Sequence, residues 1–146
     1  WYRLEEYYYN SRQARRQKTD QEYADDLEAL VKGRPLGAVV VDPSAASFME
    51  VLRRRGLPVR KANNDVLSGI RVTAQLLKEG KLVICSPCRD AIREFGLYRW
   101  DTSGSGGDRV VKEHDHAMDD IRYFAATVAT GTSGGFFAGS VERTGF

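Results

Sequence analysis

The stretch that decides the fold is GAVVVDPSAASFMEVLRRRGLPVRKA, residues 37–62. It opens with an unbroken, β-branched run at 37–41, which predicts a strand buried on both faces, as in the middle of an α/β sheet. The Asp-Pro-Ser that follows, 42–44, predicts the start of a helix, because proline suits a first helical turn and aspartate or serine suits a cap. Gly56 ends that helix, and a second short strand is predicted at 57–62.

The alternation of strand and helix continues on both sides of this stretch. Further helices are predicted at 21–32, 66–78 and 114–130, with a short helix or turn at 87–95 and short strands at 1–9 and 82–85. This order predicts an α/β fold with one sheet. Because the opening segment is aromatic and reads as partly exposed, we expect antiparallel strands at one edge, and so a mixed sheet flanked by helices. The glycine-rich residues 131–146 predict a flexible tail behind a domain spanning 1–130.

The composition is that of an ordinary globular domain. The chain has 146 residues, 42% hydrophobic and 29% charged, with a formal net charge of +2. A chain of this length can hold a core without disulfides or a structural metal. No apolar run approaches the roughly 20 residues that cross a membrane, so we expect a soluble, cytoplasmic protein with no membrane partner. The small net charge does not by itself imply a nucleic-acid partner.

Asp42 is the first candidate for chemistry. It stands at the carboxyl end of the most buried predicted strand, and ligands of open α/β sheets bind at that edge. Its position alone also fits a plain helix N-cap, which is the simpler interpretation.

A second candidate group lies in HDHAMDD, residues 114–120. Spacings of i, i+3, i+4 and i+7 gather four polar side chains near one side of a helix: His116, Asp119, Asp120 and Tyr123. Acids in a first helical turn also complement the helix dipole, the simpler interpretation of this motif alone. Together with Asp42, however, these carboxylates and an imidazole suit Mg²⁺ or Mn²⁺ better than zinc. A metal pair held in this way promotes phosphodiester hydrolysis, which becomes the leading chemistry.

Four blocks in order along the chain carry a family resemblance: VVVDPSAASFMEVLRRRGLPV, NNDVLSGIRVTAQLL, CRDAIREFGLYRWD and VKEHDHAMDDIRY. Over residues 1–127 the pattern resembles the carboxy-terminal nuclease domain of the large terminase subunit of tailed bacteriophages. The resemblance implies a ribonuclease-H-like fold and an endonuclease that cuts concatemeric double-stranded DNA by two-metal hydrolysis, with two Mg²⁺ or Mn²⁺ ions. It also implies an ATPase domain in the same full-length chain, a portal and a small terminase subunit as partners, and action inside a bacterial host.

The resemblance also assigns residues. Asp42 matches the family's second acidic metal ligand, Asp119 matches its third, and His116 matches a histidine near the metals in one branch of the family. These three are therefore expected to be catalytic and metal-binding. The family's first acid lies on a strand about one hairpin before the position of Trp1, and the first methionine here is Met49. We therefore expect a fragment without its first strand, which binds metal weakly and cleaves poorly.

The choice between Asp119 and Asp120 shows a conflict. On a helical wheel Asp120 lies beside the apolar stripe, whereas Asp119 lies nearly opposite its centre. The pattern alone would make Asp120 the inward-facing acid, and the resemblance favours Asp119. Asp120 is kept as the alternative ligand.

Basic residues suggest contacts to DNA phosphates, which attract arginine and lysine regardless of sequence. The candidates are Arg12, Arg15, Arg16, Lys18 and Lys112, with a solvated surface as the alternative. The run 53–55 is expected to be solvated, and the glycine-rich loop at 102–108 to be a flexible turn or a hairpin over the DNA cleft. We expect Asp65 to cap a helix. Cys85 and Cys88 have the spacing of half a zinc site without a second pair, so buried structural thiols are preferred.

Three functions therefore remain open. The first is the packaging endonuclease, and the second is a non-catalytic ribonuclease-H-like fragment that binds DNA or the portal, because the first acid is missing. The third is a resolvase-like nuclease of the same fold, which would prefer branched DNA.

Overall fold

The structure is a computed structural model that describes residues 1–103, 109–113, 115–131 and 136–140, without the side chains of Phe136 and Ser140. Its helices are α1 (Ser11–Ala14), α2 (Asp20–Val31), α3 (Ala46–Arg54), α4 (Val66–Lys78), α5 (Arg89–Phe95) and α6 (His116–Phe124). Its strands are β1 (Tyr2–Arg3), β2 (Leu36–Val41), β3 (Val59–Lys61), β4 (Val83–Ile84) and β5 (Phe136–Ser140). A π-helical turn, Ala125–Ala129, continues α6.

β2 is the centre of a three-stranded sheet of order β3-β2-β5, in which both neighbours run parallel to it. Side chains alternate along β2. Val39 and Val41 pack with apolar residues of α2 and α3, whereas Val40 packs on the opposite face with Tyr123 of α6. The prediction of a strand buried on both faces is therefore confirmed, and so is the α/β class with helices flanking the strands, as a ribonuclease-H-like fold requires.

The opening strand differs from its prediction. β1 contains only Tyr2–Arg3, and it pairs with β4 in the parallel direction, with Arg3 opposite Ile84. An antiparallel bridge joins Trp100 to Val110 instead, at the base of the predicted glycine-rich loop. Residues 104–108 of that loop lie outside the described residues, so its expected flexibility and its place over a cleft stay predictions.

The predicted flexible tail also differs, because residues 136–140 form β5. β5 pairs with the side of β2 that β3 leaves free, where unpaired backbone groups of β2 favour the addition of a strand. Ala138 is buried in the core between α2 and α3. A Cβ at Gly139 would overlap the carboxylate of Asp120, so glycine is what lets β5 approach α6. Residues 132–135 and 141–146 lie outside the described part of the chain.

Side-chain caps begin the helices α2 and α4. Thr19 caps α2 in a capping box with Glu22, and the Asp65 side chain accepts the Ser68 N–H at 2.7 Å at the start of α4. Asp65 is therefore a cap, as expected. In the described ranges, no helix combines the length and apolar character needed to span a bilayer.

Candidate functional site

Asp42 follows the last residue of β2, and both of its carboxylate oxygens are engaged. Oδ1 accepts hydrogen bonds from the Ser44 N–H at 2.8 Å and the Ser44 hydroxyl at 2.7 Å, which closes a tight turn. α3 begins only at Ala46, and its N-cap Ala45 makes no side-chain cap bond. The simple N-cap interpretation is therefore wrong, and Asp42 organises the turn at the strand end.

The second oxygen of Asp42 reaches the last helix. The Tyr123 hydroxyl donates to Asp42 Oδ2 at 2.5 Å. Burial alone would raise the pKa of the Asp42 carboxyl, but the hydrogen bonds from Tyr123 and Ser44 and the charge of Arg122 outweigh burial, so the pKa is lowered. Burial, the bond to Asp42, and the charges of Asp42 and Asp119 together raise the pKa of Tyr123. Asp42 is therefore ionised at neutral pH beside a protonated phenol.

Asp119 lies in the first turn of α6 with a relative exposure of 9%. Its Oδ1 accepts a hydrogen bond from Arg122 Nη2 at 2.8 Å, and Lys112 Nζ lies 3.8 Å from Oδ2. Lys112 also lies 3.7 Å from the buried Asp115. Two basic side chains, Arg122 and Lys112, therefore balance the charge of the buried acids at the start of α6.

Arg122 connects the two candidate acids. It is buried, with 3% exposure, and it binds Asp119 while its charge lowers the pKa of Asp42. Its Nη1 donates to the Asn64 carbonyl at 3.2 Å, and its guanidinium carbon lies 4.8 Å from the centre of the Tyr123 ring. Asp42 and Asp119 are therefore linked through one Arg122–Tyr123 pair, in which Tyr123 binds Asp42 and Arg122 binds Asp119.

Asp120 lies on a different side of α6. It forms an ion pair with Arg3 of β1, and it lines a large cavity of about 1330 Å³ between the N-terminal segment, α2 and α6. Asp119 and Asp42 are absent from the described lining of that cavity. The two adjacent aspartates therefore serve separate networks.

His116 belongs to the cavity side. Its ring meets the Tyr8 ring edge-on, with centroids 6.0 Å apart, and it lines the same cavity as Lys112 and Asp120. The described lining of that cavity includes His116 but neither Asp42 nor Asp119.

The five candidate DNA-binding residues also fall into groups. Arg16 forms an ion pair with Glu22, and Lys18 pairs with Asp26 at 2.5 Å. Arg12 and Arg15, on and just after α1, are exposed and form no ion pair within the described residues. Arg12 lines the same cavity as Lys112.

Sequence reasoning did not select three residues that the structure places beside the acids. Arg122 had a usable signal, since it stands three residues after Asp119, a spacing that forms ion pairs on a helix. Tyr98 has a buried hydroxyl, and burial followed by the charge of Asp119 raises its pKa. Glu94 is fully buried against the start of α6. Neither Tyr98 nor Glu94 had a sequence signal, because each reaches the site through tertiary packing.

The donor set fits a hard divalent cation only in part. Asp42 and Asp119 offer carboxylate oxygens, which Mg²⁺ and Mn²⁺ prefer. In the described ranges, no group of three His, Cys, Asp or Glu side chains is arranged to hold a metal ion. Cys85 and Cys88 form no disulfide, and Cys88 is buried, as expected of structural thiols. Asp42 and Asp119 therefore have the donor chemistry for a hard cation, and a complete site needs further ligands.

Comparison with known proteins gives one consistent likeness. No protein-family profile matches the chain, and no curated protein matches it. Solved structures of the large terminase of a thermophilic bacteriophage do match. The complexes with ADP and with ATP-gamma-S each share 42% identity over 90% of this chain, with a TM-score of 0.87. A third structure of that terminase has 42% identity, a TM-score of 0.85 and 88% coverage. This chain spans 34% of the terminase chain in each case.

Proposed function

We propose that this chain is the nuclease domain of a viral DNA-packaging terminase large subunit, an endonuclease that cleaves concatemeric double-stranded DNA with Mg²⁺ or Mn²⁺. The observation that carries the proposal is the linkage of Asp42, held by Tyr123, to Asp119, held by Arg122, through the stacked Arg122–Tyr123 pair, in a chain 42% identical to a phage large terminase. At that identity, with a TM-score of 0.87, the likeness extends beyond the fold.

The residues have distinct tasks in the proposed reaction. Asp42 and Asp119 are the ligands of the divalent ions, which when bound polarise the scissile phosphate and lower the pKa of water. Tyr123 holds the Asp42 carboxylate in one orientation through its hydrogen bond, and Arg122 does the same for Asp119.

DNA binding is proposed around Lys112, which lines the cavity and whose Nζ lies 3.8 Å from Asp119 Oδ2. Arg12 and Lys112 line that cavity, and Arg12 and Arg15 are exposed without ion pairs among the described residues. Arginine side chains in this state are available to phosphates. Arg16 and Lys18 contribute less, because each must first leave a carboxylate.

The proposed domain works as part of a larger assembly. Two of the matching terminase structures are complexes with ADP and with ATP-gamma-S, and this chain spans 34% of each of those chains. We therefore propose an ATPase domain in the same full-length chain, and the portal and the small terminase subunit as partners in a bacterial host cell.

A non-catalytic role is the second candidate, and a specific observation favours it. Arg122 and Lys112 already balance the acids, and three metal-type ligands do not gather in the part of the chain described. A ribonuclease-H-like fragment of this kind would bind DNA or the portal without cutting.

A plasmid assay separates the two candidates. Supercoiled plasmid is incubated with Mn²⁺ and this chain, and then with a chain extended upstream of Trp1 by the encoding gene. We expect the extended chain to nick and linearise the plasmid, and Asp42→Asn or Asp119→Asn to abolish cutting. Asp65→Asn is the matched control, because asparagine also caps a helix. If the extended chain binds the plasmid and leaves it intact, the non-catalytic role replaces the nuclease.

A further inference from the structure

The first turn of α6 lacks a cap of its own. The first amides of any helix have no partner inside that helix. Asp115 stands at the N-cap position of α6, yet its side chain makes no cap hydrogen bond. The same turn carries Asp119, whose N–H binds the Asp115 carbonyl at 2.8 Å. The orientation of this turn therefore sets where the Asp119 carboxylate lies.

A carboxylate from another helix supplies the missing cap. Glu94 of α5 accepts the Ala117 N–H at 2.7 Å and the Met118 N–H at 3.4 Å, both through Oε2. Its relative exposure is 0%. A negative charge at a helix N-terminus is favoured by the helix dipole as well as by the hydrogen bonds. Glu94 thus binds the two amides that immediately precede Asp119.

The helix that carries Glu94 is fixed in the same way. Glu6 accepts the Asp90 N–H at 2.5 Å and the Ala91 N–H at 3.2 Å, at the start of α5. Arg3 lies 3.6 Å from Glu6 and also forms an ion pair with Asp120 of α6. The contacts therefore run in a closed circuit from the N-terminal segment to α5, then to α6, and back to Arg3.

Burying a carboxylate costs free energy of desolvation, which only hydrogen bonds or an opposite charge can compensate. An apolar side chain would fill a purely structural position with no desolvation penalty. Burial raises the pKa of Glu94 despite the hydrogen bonds from Ala117 and Met118 that favour its charged form. Glu94 is therefore buried at a desolvation cost that its hydrogen bonds to α6 offset only in part.

We infer that Glu94 is a positioning residue for the cation site of Asp42 and Asp119, acting through the Ala117 and Met118 amides to hold the first turn of α6. The inference rests on the proposed function for the identity of that site. Without Glu94 the turn rotates or frays, and the separation of the two carboxylates is no longer fixed. Misplacement of this order weakens a site strongly, because ligand geometry decides affinity.

The test measures Mn²⁺ binding to the 146-residue chain by electron paramagnetic resonance, with amide hydrogen exchange at Ala117 and Met118 as a second readout. Glu94→Ala should weaken Mn²⁺ binding about tenfold and speed exchange at both amides. Glu94→Gln keeps an acceptor oxygen, so its affinity should stay within about twofold of the original. Glu94→Asp keeps the charge but shortens the reach, so it should weaken binding to an intermediate degree.

Thr19→Ala is the matched control. It removes a cap from α2, a helix that carries no candidate ligand, so it should lower stability without changing Mn²⁺ affinity. If Glu94→Ala does not fold, Glu94→Asp and Glu94→Gln decide the question.

The two proposals fail in different ways. If the Asp42→Asn and Asp119→Asn variants bind Mn²⁺ as tightly as the original chain does, the proposed function is wrong. If binding depends on those acids but Glu94→Ala or Glu94→Asp binds as tightly as the original, the positioning role is wrong. Equal weakening by Glu94→Gln and Glu94→Ala would also overturn it, because an acceptor oxygen would then not suffice.

Discussion

The Tyr123 hydroxyl donates a hydrogen bond of 2.5 Å to Asp42 Oδ2, across 81 residues of sequence. This contact ties the carboxyl end of the central strand to the last helix. The charges of Asp42 and Asp119 both contribute to the raised pKa of the Tyr123 phenol. The bond fixes the orientation of the strand end relative to the helix.

Tyr123→Phe should remove about 1 kcal/mol of unfolding free energy at pH 7, since a hydrogen bond to a charged group is lost from a half-buried carboxylate. The lowered pKa of Asp42 contributes stability above the ordinary aspartate pKa, and that contribution disappears as pH falls through the folded value. The loss caused by Tyr123→Phe should therefore shrink at acidic pH. Urea denaturation at pH 7 and pH 3 measures it.

Tyr2→Phe is the control for that measurement, because Tyr2 is 71% exposed. Its stability should match the original at both pH values. An equal loss for Tyr123→Phe at pH 7 and pH 3 would show that the bond to ionised Asp42 is not the source.

Gly69→Ala should destabilise the protein by about 1–3 kcal/mol through overpacking. A Cβ at this position in α4 would lie 2.8 Å from Arg122 Cδ and closer still to Cγ. Alanine favours a helix interior by about 1 kcal/mol over glycine, so a net loss reports the clash alone. The displaced Arg122 would also release Asp119. Chemical denaturation measures the first effect, and the NMR shifts of the Arg122 Nη protons measure the second.

Gly96→Ala is the matched control for Gly69→Ala. A Cβ there would meet the Arg93 carbonyl at 3.5 Å, an ordinary contact, and the backbone is right-handed helical. We expect a change within about 0.5 kcal/mol. Equal effects of the two substitutions would remove Arg122 from the explanation.

Glu94→Gln should change how stability depends on pH. Burial raises the pKa of Glu94 in the folded state. A raised carboxyl pKa stabilises the fold fully below the ordinary glutamate pKa, and that stabilisation is lost as pH rises through the folded value. The glutamine variant has no such loss, so its stability relative to the original chain should rise with pH from about 4 to 8.

The exposed Glu79 has the opposite behaviour and controls that experiment. The hydrogen bonds from Lys81 and Gln75 lower its pKa. Glu79→Gln should therefore lose stability relative to the original as pH rises through the acidic range. Parallel pH profiles for the two variants would contradict the assignment of Glu94.

Asp119→Asn and Asp120→Asn should separate activity from stability in the extended chain. Asp119→Asn should abolish Mn²⁺-dependent plasmid cutting, because it removes a proposed ligand. Asp120→Asn should retain cutting but lower the melting temperature, because a partly buried Arg3 loses the charge of its partner. Loss of cutting in Asp120→Asn alone would reverse the assignment.

Replacing Arg12 and Arg15 together by alanine should weaken double-stranded DNA binding and flatten its salt dependence. Each lost phosphate contact lowers the slope of log affinity against log salt by about 0.9. Arg16→Ala and Lys18→Ala should have smaller effects, because those side chains already bind carboxylates. Fluorescence anisotropy at several salt concentrations measures the slopes, and Arg54→Ala, exposed beside Glu50, is the control.

The local features of this fold were predictable from local sequence. The run at 37–41 is β-branched and unbroken, and the caps Thr19 and Asp65 precede periodic apolar residues. Such patterns determine strands and helices because neighbouring residues decide backbone conformation and the face that is buried. The candidate acids were also visible, since strand ends and first helical turns are local positions.

The sequence by itself determined the central strand at 37–41, the caps Thr19 and Asp65, the i,i+3 spacing of Asp119 and Arg122, and the residue types available at the sheet edge. Only the tertiary structure decided which distant elements meet: Tyr123 at Asp42, Glu94 under α6, and β5 beside β2. Such contacts span 23 to 81 residues where a side-chain hydrogen bond is made. No periodicity encodes them, because they depend on how all the elements pack together and on the cost of closing the loops between them.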